Sequence, residues 1–338
     1  MKILLSCAFI LSIFFACKKP KLIDEPPITY TDMYTIVGRK IYNYNTPKQY
    51  IGANALHTFG GGSYDMNSWK LDIVREFVGN MRDNPLTGAV LQDATGSYLH
   101  PLQKVVDSNR LQGKITLLCP FRWDGTVATE YTGKRPTTVS WYAAHKAKLM
   151  EWATHFKNQP DVWLELWNEP YRYDRTDGYT DAIWVAEMNE MVATIRTTGN
   201  TNIVLVPVAE QGQDESVLIN KACSFLQNKK NILFDIHAYE KWLLVANSAM
   251  GNRLQQLQQY NIPVLFGETA PVNAGVLMNP TPLLDSLYKY GISTCAWLWK
   301  YDTNDQDALL TTNGMPNNTN NNNWGSSYKL FSSKPRNP

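Results

Sequence analysis

The sequence predicts an α/β protein, a single closed (β/α)8 barrel with an N-terminal β-hairpin. Short apolar runs recur along the chain, and each gap between them has room for a helix. Strands that alternate with helices form parallel β–α–β units, and eight such units close into a barrel. The runs are apolar at odd and even positions alike, as expected for strands that are covered on both faces. We find no sign of a domain boundary between them.

The elements of this barrel follow one another in order. The eight predicted strands are residues 50–56, 78–82, 115–121, 162–167, 203–208, 232–237, 263–268 and 292–299. The clearest helix is predicted at residues 139–157, where apolar and aromatic side chains recur at helical spacing. Before the first strand, residues 37–51 contain two turn signals between short apolar stretches, which predicts the hairpin.

The composition excludes several classes of protein. The 338 residues include 32 Lys and Arg against 30 Asp and Glu, and this formal charge of +2 gives no reason to expect a nucleic-acid partner. Hydrophobic residues make up 44% and charged residues 18%, so the chain is neither disordered nor a bundle of membrane-spanning helices. Since the chain lacks zinc-protease, phosphate-loop and nucleophile-elbow motifs, we predict no cofactor and no metal.

The first residues predict export and lipid attachment. After Lys2, residues 3–15 are almost wholly apolar, a length that suits a signal peptide and falls short of the roughly 20 residues that span a bilayer. The run ends at Ala16 and Cys17 and resembles a bacterial lipoprotein signal. We predict a signal peptide at residues 1–16, lipid on Cys17, a tether at 17–33 and one globular domain at 34–338. Ordinary secretion with a chance cysteine is the alternative.

Two glutamates stand at the ends of different predicted strands. Residues 163–168 lead directly into Glu169, and residues 263–267 lead into Glu268. The carboxyl ends of barrel strands form the active-site face, so both side chains are expected at the mouth of the barrel. Two carboxylates that face each other across a pocket suit glycoside hydrolysis, one as nucleophile and one as general acid/base.

Glu165 is a poorer partner for Glu169 than Glu268 is. It stands four residues before Glu169 on the same predicted strand, which at about 3.3 Å per residue separates the two by roughly 13 Å. The paired carboxylates of glycosidases lie roughly 5 to 9.5 Å apart. We therefore expect Glu165 deeper in the barrel, with a polar or basic partner.

These motifs resemble glycoside hydrolase family 5, the cellulase and mannanase family of clan A, over about residues 37–299. The resemblance implies a TIM barrel, a retaining mechanism, Glu169 as acid/base and Glu268 as nucleophile. It also implies a set of residues that bind the sugar or support the nucleophile. These are Arg82 on strand 2, paired with Glu268; Asn168, toward the sugar 2-hydroxyl; His237 and Tyr239 on strand 6; and Trp297 on strand 8, with Trp299 as second choice.

The chain departs from that family at the end of predicted strand 3. The family usually has a histidine there, whereas residues 119–123 read Cys-Pro-Phe-Arg-Trp. Arg122 and Trp123 are the candidates to replace the lost sugar contact. The departure bears on the identity of the sugar more than on the mechanism.

The residues and the resemblance together predict a retaining β-glycosidase that acts on a β-linked polysaccharide or oligosaccharide. We expect a monomer, tethered by lipid in the cell envelope. Two alternatives remain: a non-catalytic glycan-binding lipoprotein that has kept an old barrel, and a transglycosylase with the same residues. Aromatic side chains in predicted mouth loops could stack on sugar rings or simply pack the loops. They are Trp123, Tyr171, Tyr173 and Trp242.

Overall fold

The computed structural model describes residues 33–301, 303, 305–319 and 322–337. The predicted signal peptide, Cys17 and the tether before Met33 lie outside the described residues. Within the described part of the chain, no helix combines the length and apolarity that a membrane span requires.

The described strands and helices alternate along most of the chain. The strands are β1 (Tyr34–Val37), β2 (Lys40–Asn43), β3 (Thr46–Pro47), β4 (Ile51–Ala55), β5 (Ile73–Val78), β6 (Leu91–Gln92), β7 (Tyr98–Leu99), β8 (Ile115–Pro120), β9 (Thr132–Lys134), β10 (Val162–Glu165), β11 (Glu169–Pro170), β12 (Val204–Pro207), β13 (Ile232–Ala238), β14 (Val264–Thr269), β15 (Val272–Asn273), β16 (Val276–Leu277) and β17 (Ser293–Ala296). The helices are α1 (Leu102–Leu111), α2 (Tyr142–Phe156), α3 (Asp181–Arg196), α4 (Ala209–Gly212), α5 (Ser216–Phe225), α6 (Glu240–Leu243), α7 (Asn247–Gln259), α8 (Thr281–Tyr290) and α9 (Trp324–Ser333).

Eight of these strands close into one barrel, which confirms the predicted fold. In chain order they are β4, β5, β8, β10, β12, β13, β14 and β17; each pairs in parallel with the next, and β17 pairs with β4. The second strand differs from the prediction, because it spans Ile73–Val78 and ends where the predicted strand begins.

The predicted hairpin is present and closes the N-terminal end of the barrel. β1, β2 and β3 form a three-stranded antiparallel sheet. From this sheet Tyr34 packs edge-on against Tyr50 and Trp163, with ring centroids 6.2 and 5.8 Å apart. Ile41 is buried in the same apolar cluster. The sheet therefore acts as a plug under the barrel interior.

The barrel interior changes character along its axis. Its lower part is apolar and includes Ile73, Leu117, Leu205 and Leu233. Toward the carboxyl ends of the strands, the inward-facing positions are polar or charged although they are fully buried. These residues are Asn54, Arg75, Glu165, Asp235 and His237. Charges in such a place are unfavourable unless they are paired and hydrogen-bonded, so this layer must be organised as a network.

An irregularity between β13 and β14 sets the alignment of two of these strands. Ile236 pairs with Phe266, but the register then shifts by one residue, and His237 pairs with Glu268. Without that shift His237 would stand opposite Gly267. The shift therefore brings the histidine of one strand beside the predicted nucleophile of the next.

Candidate active site

The two predicted catalytic glutamates come together at the mouth of the barrel. Glu169 follows β10 in the short strand β11 and is partly exposed, whereas Glu268 lies within β14 and is buried. One oxygen of each carboxylate and one ring nitrogen of His237 all lie within 4.8 Å of one another. Retaining glycosidases hold their carboxylates about 5 to 5.5 Å apart, so the separation fits direct attack rather than attack through an intervening water.

Glu268 is held by a donor on each of its oxygens. Arg75 Nη1 donates to Oε1 at 2.6 Å, and the Tyr239 hydroxyl donates to Oε2 at 2.6 Å. Burial raises the pKa of Glu268, while the charges of His237 and Arg75 and the Tyr239 hydrogen bond act in the opposite direction. These contacts favour the ionised form that a nucleophile needs. Tyr239, which the resemblance placed among the residues that bind the sugar or support the nucleophile, thus contacts Glu268 directly.

Arg75 is the centre of the buried network. Its Nε and Nη2 donate to the two oxygens of Glu165, each at 2.7 Å, and both side chains are fully buried. It also donates to the amide oxygens of Asn54 at 3.0 Å and Asn168 at 2.9 Å. The expectation that Glu165 lies deeper in the barrel with a basic partner is confirmed. Burial raises the pKa of Glu165 to about 8 in spite of this partner.

His237 joins the two catalytic carboxylates to a second buried acid. Its Nδ1 lies 3.0 Å from Glu169 and 3.6 Å from Glu268, and its Nε2 lies 3.2 Å from Asp235. Burial alone would lower the pKa of His237, but the charges of Glu268 and Asp235 raise it well above the ordinary value. The ring thus lies among three carboxylates whose charges favour its protonated form, and Arg75 Nη2 lies 3.3 Å from the same Nε2.

Gly267 is required by the position of Asp235. The backbone N–H of Gly267 donates to Asp235 Oδ1 at 2.8 Å. A Cβ on residue 267 would lie 2.2 Å from that same oxygen, closer than any real contact. Only glycine allows the Asp235 carboxylate this close to the strand that carries Glu268. The presence of a glycine directly before Glu268 therefore follows from the position of Asp235.

The predicted role of Arg82 is wrong. Arg82 lies in the turn after β5, its side chain is 44% exposed, and it pairs with Asp83 and Asp124. The buried arginine that binds Glu268 is Arg75. The prediction failed because Arg75 and Glu76 interrupt the apolar run of the true strand, Ile73–Val78. The predicted strand was therefore placed too late, at residues 78–82.

His237 and Asn168 are at the site but lie beneath its surface. His237 has no exposed surface and contacts Glu169, so the structure gives it a supporting position rather than the substrate contact that we predicted. Asn168 is 1% exposed, and its Oδ1 accepts from Arg75. That contact fixes the amide plane and leaves Nδ2 on the opposite side of the amide from Arg75.

The choice between Trp297 and Trp299 is clear in the structure. β17 ends at Ala296, and the partly buried ring of Trp297 packs against Phe77 and Phe121, with centroids 4.8 and 6.2 Å away. Trp299 is buried outside the barrel against Trp69, with centroids 5.1 Å apart. Trp297 therefore lies beside the site, and Trp299 belongs to the core.

Most of the aromatic residues predicted in mouth loops pack the protein itself. Tyr171 and Trp242 have no exposed surface, whereas Tyr173 is 40% exposed. Trp123 is 7% exposed and is the first ring of a parallel stack that continues through Trp141 to Trp167. The interplanar angles are 3° and 7°, with centroids 5.3 and 5.2 Å apart. Trp123 is thus an unsuitable replacement for the missing strand 3 histidine.

Two groups of side chains in the described chain are close enough to offer ligands to a cation. They are Glu165, Asp235 and His237, and Glu169, His237 and Glu268. Arg75 already provides a cation to both groups, because it donates to Glu165 and to Glu268 and its Nη2 lies 3.6 Å from Asp235.

A (β/α)8 barrel with two close glutamates at its mouth, one of them held by a buried arginine and a tyrosine, defines the site of a glycoside hydrolase. The family model described as cellulase, glycosyl hydrolase family 5, matches residues 62–303. Because this match covers well over half of the chain, the protein belongs to glycosyl hydrolase family 5. The family resemblance of its motifs is therefore confirmed.

The protein is also similar to enzymes that carry mannanase names. It is 26% identical over 174 residues to a mannan endo-1,4-beta-mannosidase of Cellvibrio japonicus, a match that covers 47% of this chain and 39% of that enzyme. The chain thus matches less than half the length of this curated relative. The β-mannanase from Thermomonospora fusca superposes with a TM-score of 0.68 at 14% identity, covering 90% of this chain and 98% of that chain. The β-mannanase from Streptomyces thermolilacinus gives 0.65 at 16% identity, covering 90% and 97%. At these identities the structures support the fold alone.

Proposed function

We propose that this protein is a retaining β-glycosidase that hydrolyses a β-linked polysaccharide. The observation that carries the proposal is the close approach of the Glu169 and Glu268 carboxylates, whose nearest oxygens lie within 4.8 Å. Membership of glycosyl hydrolase family 5 supports the same chemistry.

In the first step, an oxygen of Glu268 attacks the anomeric carbon and forms a covalent glycosyl ester. The bond between that carbon and the leaving oxygen breaks, and Glu169 transfers its proton to the leaving oxygen. Arg75 and Tyr239 hold Glu268 in place through one hydrogen bond to each oxygen. They act as positioning residues, since the attacking group is the carboxylate itself.

In the second step, Glu169 acts as a base. It removes a proton from water, the water oxygen attacks the anomeric carbon, and the bond to Glu268 breaks. The sugar leaves with its original configuration and both carboxyl groups return to their starting states. The partial exposure of Glu169, in contrast to the burial of Glu268, fits this exchange of protons with substrate and water.

We propose a β-1,4-linked mannan as the first substrate to test. The support is the similarity to the Cellvibrio japonicus mannosidase. Asn168, whose Oδ1 accepts from Arg75, would donate from Nδ2 to a sugar hydroxyl that enters deeply enough to reach it. The partly exposed ring of Trp297 offers an apolar face beside Tyr239 on which a sugar can stack.

We also propose that the enzyme is a monomer anchored in the cell envelope by lipid on Cys17. The support is the apolar run that ends at Ala16 and Cys17. Mass spectrometry of the mature protein from its native host should find Cys17 acylated at the N-terminus. An unmodified N-terminus at another residue would contradict the anchor.

The substrate proposal is tested by incubating the purified protein with β-mannan, β-glucan, xylan and host glycans and identifying the products. Release of shorter mannans or glucans of retained configuration supports the proposal. The absence of turnover on every glycan, with binding to one of them, would favour the non-catalytic lipoprotein. Products longer than the substrate would identify a transglycosylase.

The roles of the two glutamates are tested with an activated aryl glycoside. Glu268→Ala should lose turnover on every substrate, because no covalent intermediate can form. Glu169→Ala should still form the intermediate from a good leaving group but lack the base for the second step. Azide, which needs no base, should rescue Glu169→Ala with retained configuration.

The surface variant Glu151→Ala on α2 serves as the control and should behave as the native enzyme. Rescue of Glu268→Ala by azide should give a product of inverted configuration. Equal loss of activity in both site variants, with no azide rescue of Glu169→Ala, would count against the assignment of roles.

A further inference from the structure

The end of the barrel opposite the active site is strongly basic. This end, the basal face, consists of the plug, the segments that lead from each helix into the next barrel strand, and the C-terminal tail. Its exposed or partly exposed basic residues are Arg39, Lys40, Lys48, Lys70, Lys157, Lys229, Lys230, Lys289, Lys334 and Arg336. The acidic residues beside them are Asp72, Asp161 and Asp285, the last of which lies in α8 and pairs with Lys334. The chain as a whole is therefore nearly neutral, but its positive charge is concentrated at the basal face.

Helix polarity accounts for some of this charge. The C-termini of the barrel helices point toward the basal face, and basic side chains there stabilise the helix ends. Lys157 follows α2, and Lys289 lies in the last turn of α8. The plug has no helix, yet it carries Arg39, Lys40 and Lys48 without an acidic residue. The basal charge thus exceeds what the helix ends require.

Part of the basal face forms a cleft between the plug and the C-terminal tail. The cleft has a volume of about 400 Å³, and its charged lining consists of Lys48, Lys70, Lys334, Arg336 and a single acid, Asp72. Lys48 and Arg336 both reach Asp72, at 3.1 and 2.6 Å. Lys334 also pairs with Asp285 at 3.1 Å, so two carboxylates face the four cations, and the cleft keeps a net positive charge toward an incoming anion.

The chain enters the barrel from this same face. Met33 and Tyr34 line a hollow together with Lys157, Asn202 and Asn231, which lie in or beside the segments that lead into β10, β12 and β13. The preceding sequence contains Cys17, followed by Lys18, Lys19 and Lys21, whose charges are balanced by Asp24, Glu25 and Asp32. A chain from Cys17 to Met33 can span at most about 55 Å, so a lipid on Cys17 would keep the basal face close to the membrane.

We propose that the basal face docks on a membrane surface that carries anionic phospholipid headgroups, with a headgroup phosphate in the cleft. The barrel then lies with its mouth pointing away from the membrane and toward the glycan. The location of the protein at a membrane rests on the lipid anchor proposed above. The charge of the basal face and the cleft do not depend on the lipid.

The test uses the chain from Lys18 to Pro338, which contains the whole described barrel and its core but not Cys17. Its partition onto phosphatidylcholine vesicles with and without phosphatidylglycerol is measured by sedimentation. We expect binding only to the anionic vesicles, and its loss at high salt, because salt screens exposed charges.

The cleft is tested by the triple variant Lys48→Gln, Lys70→Gln and Lys334→Gln. Each basic residue near an anionic membrane strengthens partitioning about fivefold, so the variant should bind on the order of 100-fold more weakly. The matched control neutralises three lysines on the outer helices, Lys104, Lys148 and Lys221. It changes the net charge equally and should retain most of the binding.

Two results would overturn the proposal: no binding of the native chain to anionic vesicles, or an equal loss in the control. A chain that binds inorganic phosphate but no anionic vesicles would have a site for free phosphate instead. Hydrolysis is measured on the same samples. Vesicle binding without turnover would contradict the proposed function alone, and full turnover without vesicle binding would contradict docking alone.

Discussion

Replacing Arg75 by methionine should separate the structural role of the buried network from its catalytic role. The variant removes the cation that donates to both oxygens of Glu165 and to one oxygen of Glu268. Both carboxylates then stay buried without it. Removing one partner of a buried ion pair lowers stability by about 3–5 kcal/mol, and we expect a loss of that size in the free energy of unfolding at pH 8.

The pH dependence of this loss follows from the carboxylates. The pKa of Glu165 is already raised from 4.5 to about 8, and burial is the main cause. A carboxyl group with a raised pKa in the folded state destabilises the fold as pH rises from its unfolded to its folded value. The native protein already bears this loss up to about pH 8. The contribution of Glu165 to the deficit of Arg75→Met should therefore grow as pH rises above 8, where the native carboxyl is ionised and the variant's is still protonated. Urea denaturation at pH 8 and at about pH 9.5 measures it.

A second variant tests the cause of the loss. In Arg75→Met combined with Glu165→Met, the fully buried pair is replaced by two apolar side chains, which is often neutral or stabilising. The double variant should recover at least half of the stability lost at pH 8, while turnover stays absent because Glu268 has lost its arginine. A double variant no more stable than Arg75→Met would refute uncompensated charge as the cause.

Three further predictions concern single side chains. Tyr239→Phe removes a 2.6 Å hydrogen bond to the Glu268 carboxylate, so kcat/KM should fall about tenfold or more. Because that bond lowers the pKa of Glu268, the acid limb of the pH profile of kcat/KM should move to higher pH. An unchanged profile would contradict this. Gly267→Ala places a Cβ 2.2 Å from an oxygen of Asp235, so both Tm and kcat should fall, with about 1–3 kcal/mol lost in stability. A variant with native Tm would disprove the steric argument. Arg82→Ala removes only exposed ion pairs, and its Tm should stay close to that of the native protein, as thermal denaturation will show.

The barrel could be predicted because most of its strands are apolar on both faces. The exception was β5, in which Arg75 and Glu76 stand side by side in the middle of the strand. Both are fully buried, on opposite faces. Arg75 pairs with residues of other strands, and Glu76 lies 2.8 Å from His57 and accepts from Asn109 at 2.8 Å. No local pattern reveals such partners, because they come from distant parts of the chain.

The catalytic glutamates could be predicted because each ends an apolar run, but their surroundings could not. Asp235 precedes His237 by two residues on the same strand, so its inward orientation was available from period-2 alternation. Its closeness to Gly267 depends on how β13 and β14 align, which the sequence does not state. The distinction between Trp297 and Trp299 likewise depended on the strand ending at Ala296, where alternation no longer applies.

The stack of Trp123, Trp141 and Trp167 gives this enzyme a built-in optical reporter. These three nearly parallel indoles, with centroids 5.3 and 5.2 Å apart, are fixed by tertiary packing, and aromatic rings fixed in this way give near-ultraviolet circular dichroism. Trp167 stands only two residues before Glu169. A displacement of that backbone, whether by a substituted side chain or by a bound sugar, would tilt one ring and change the signal. Ligand titrations can therefore be followed at the acid/base without attaching a dye.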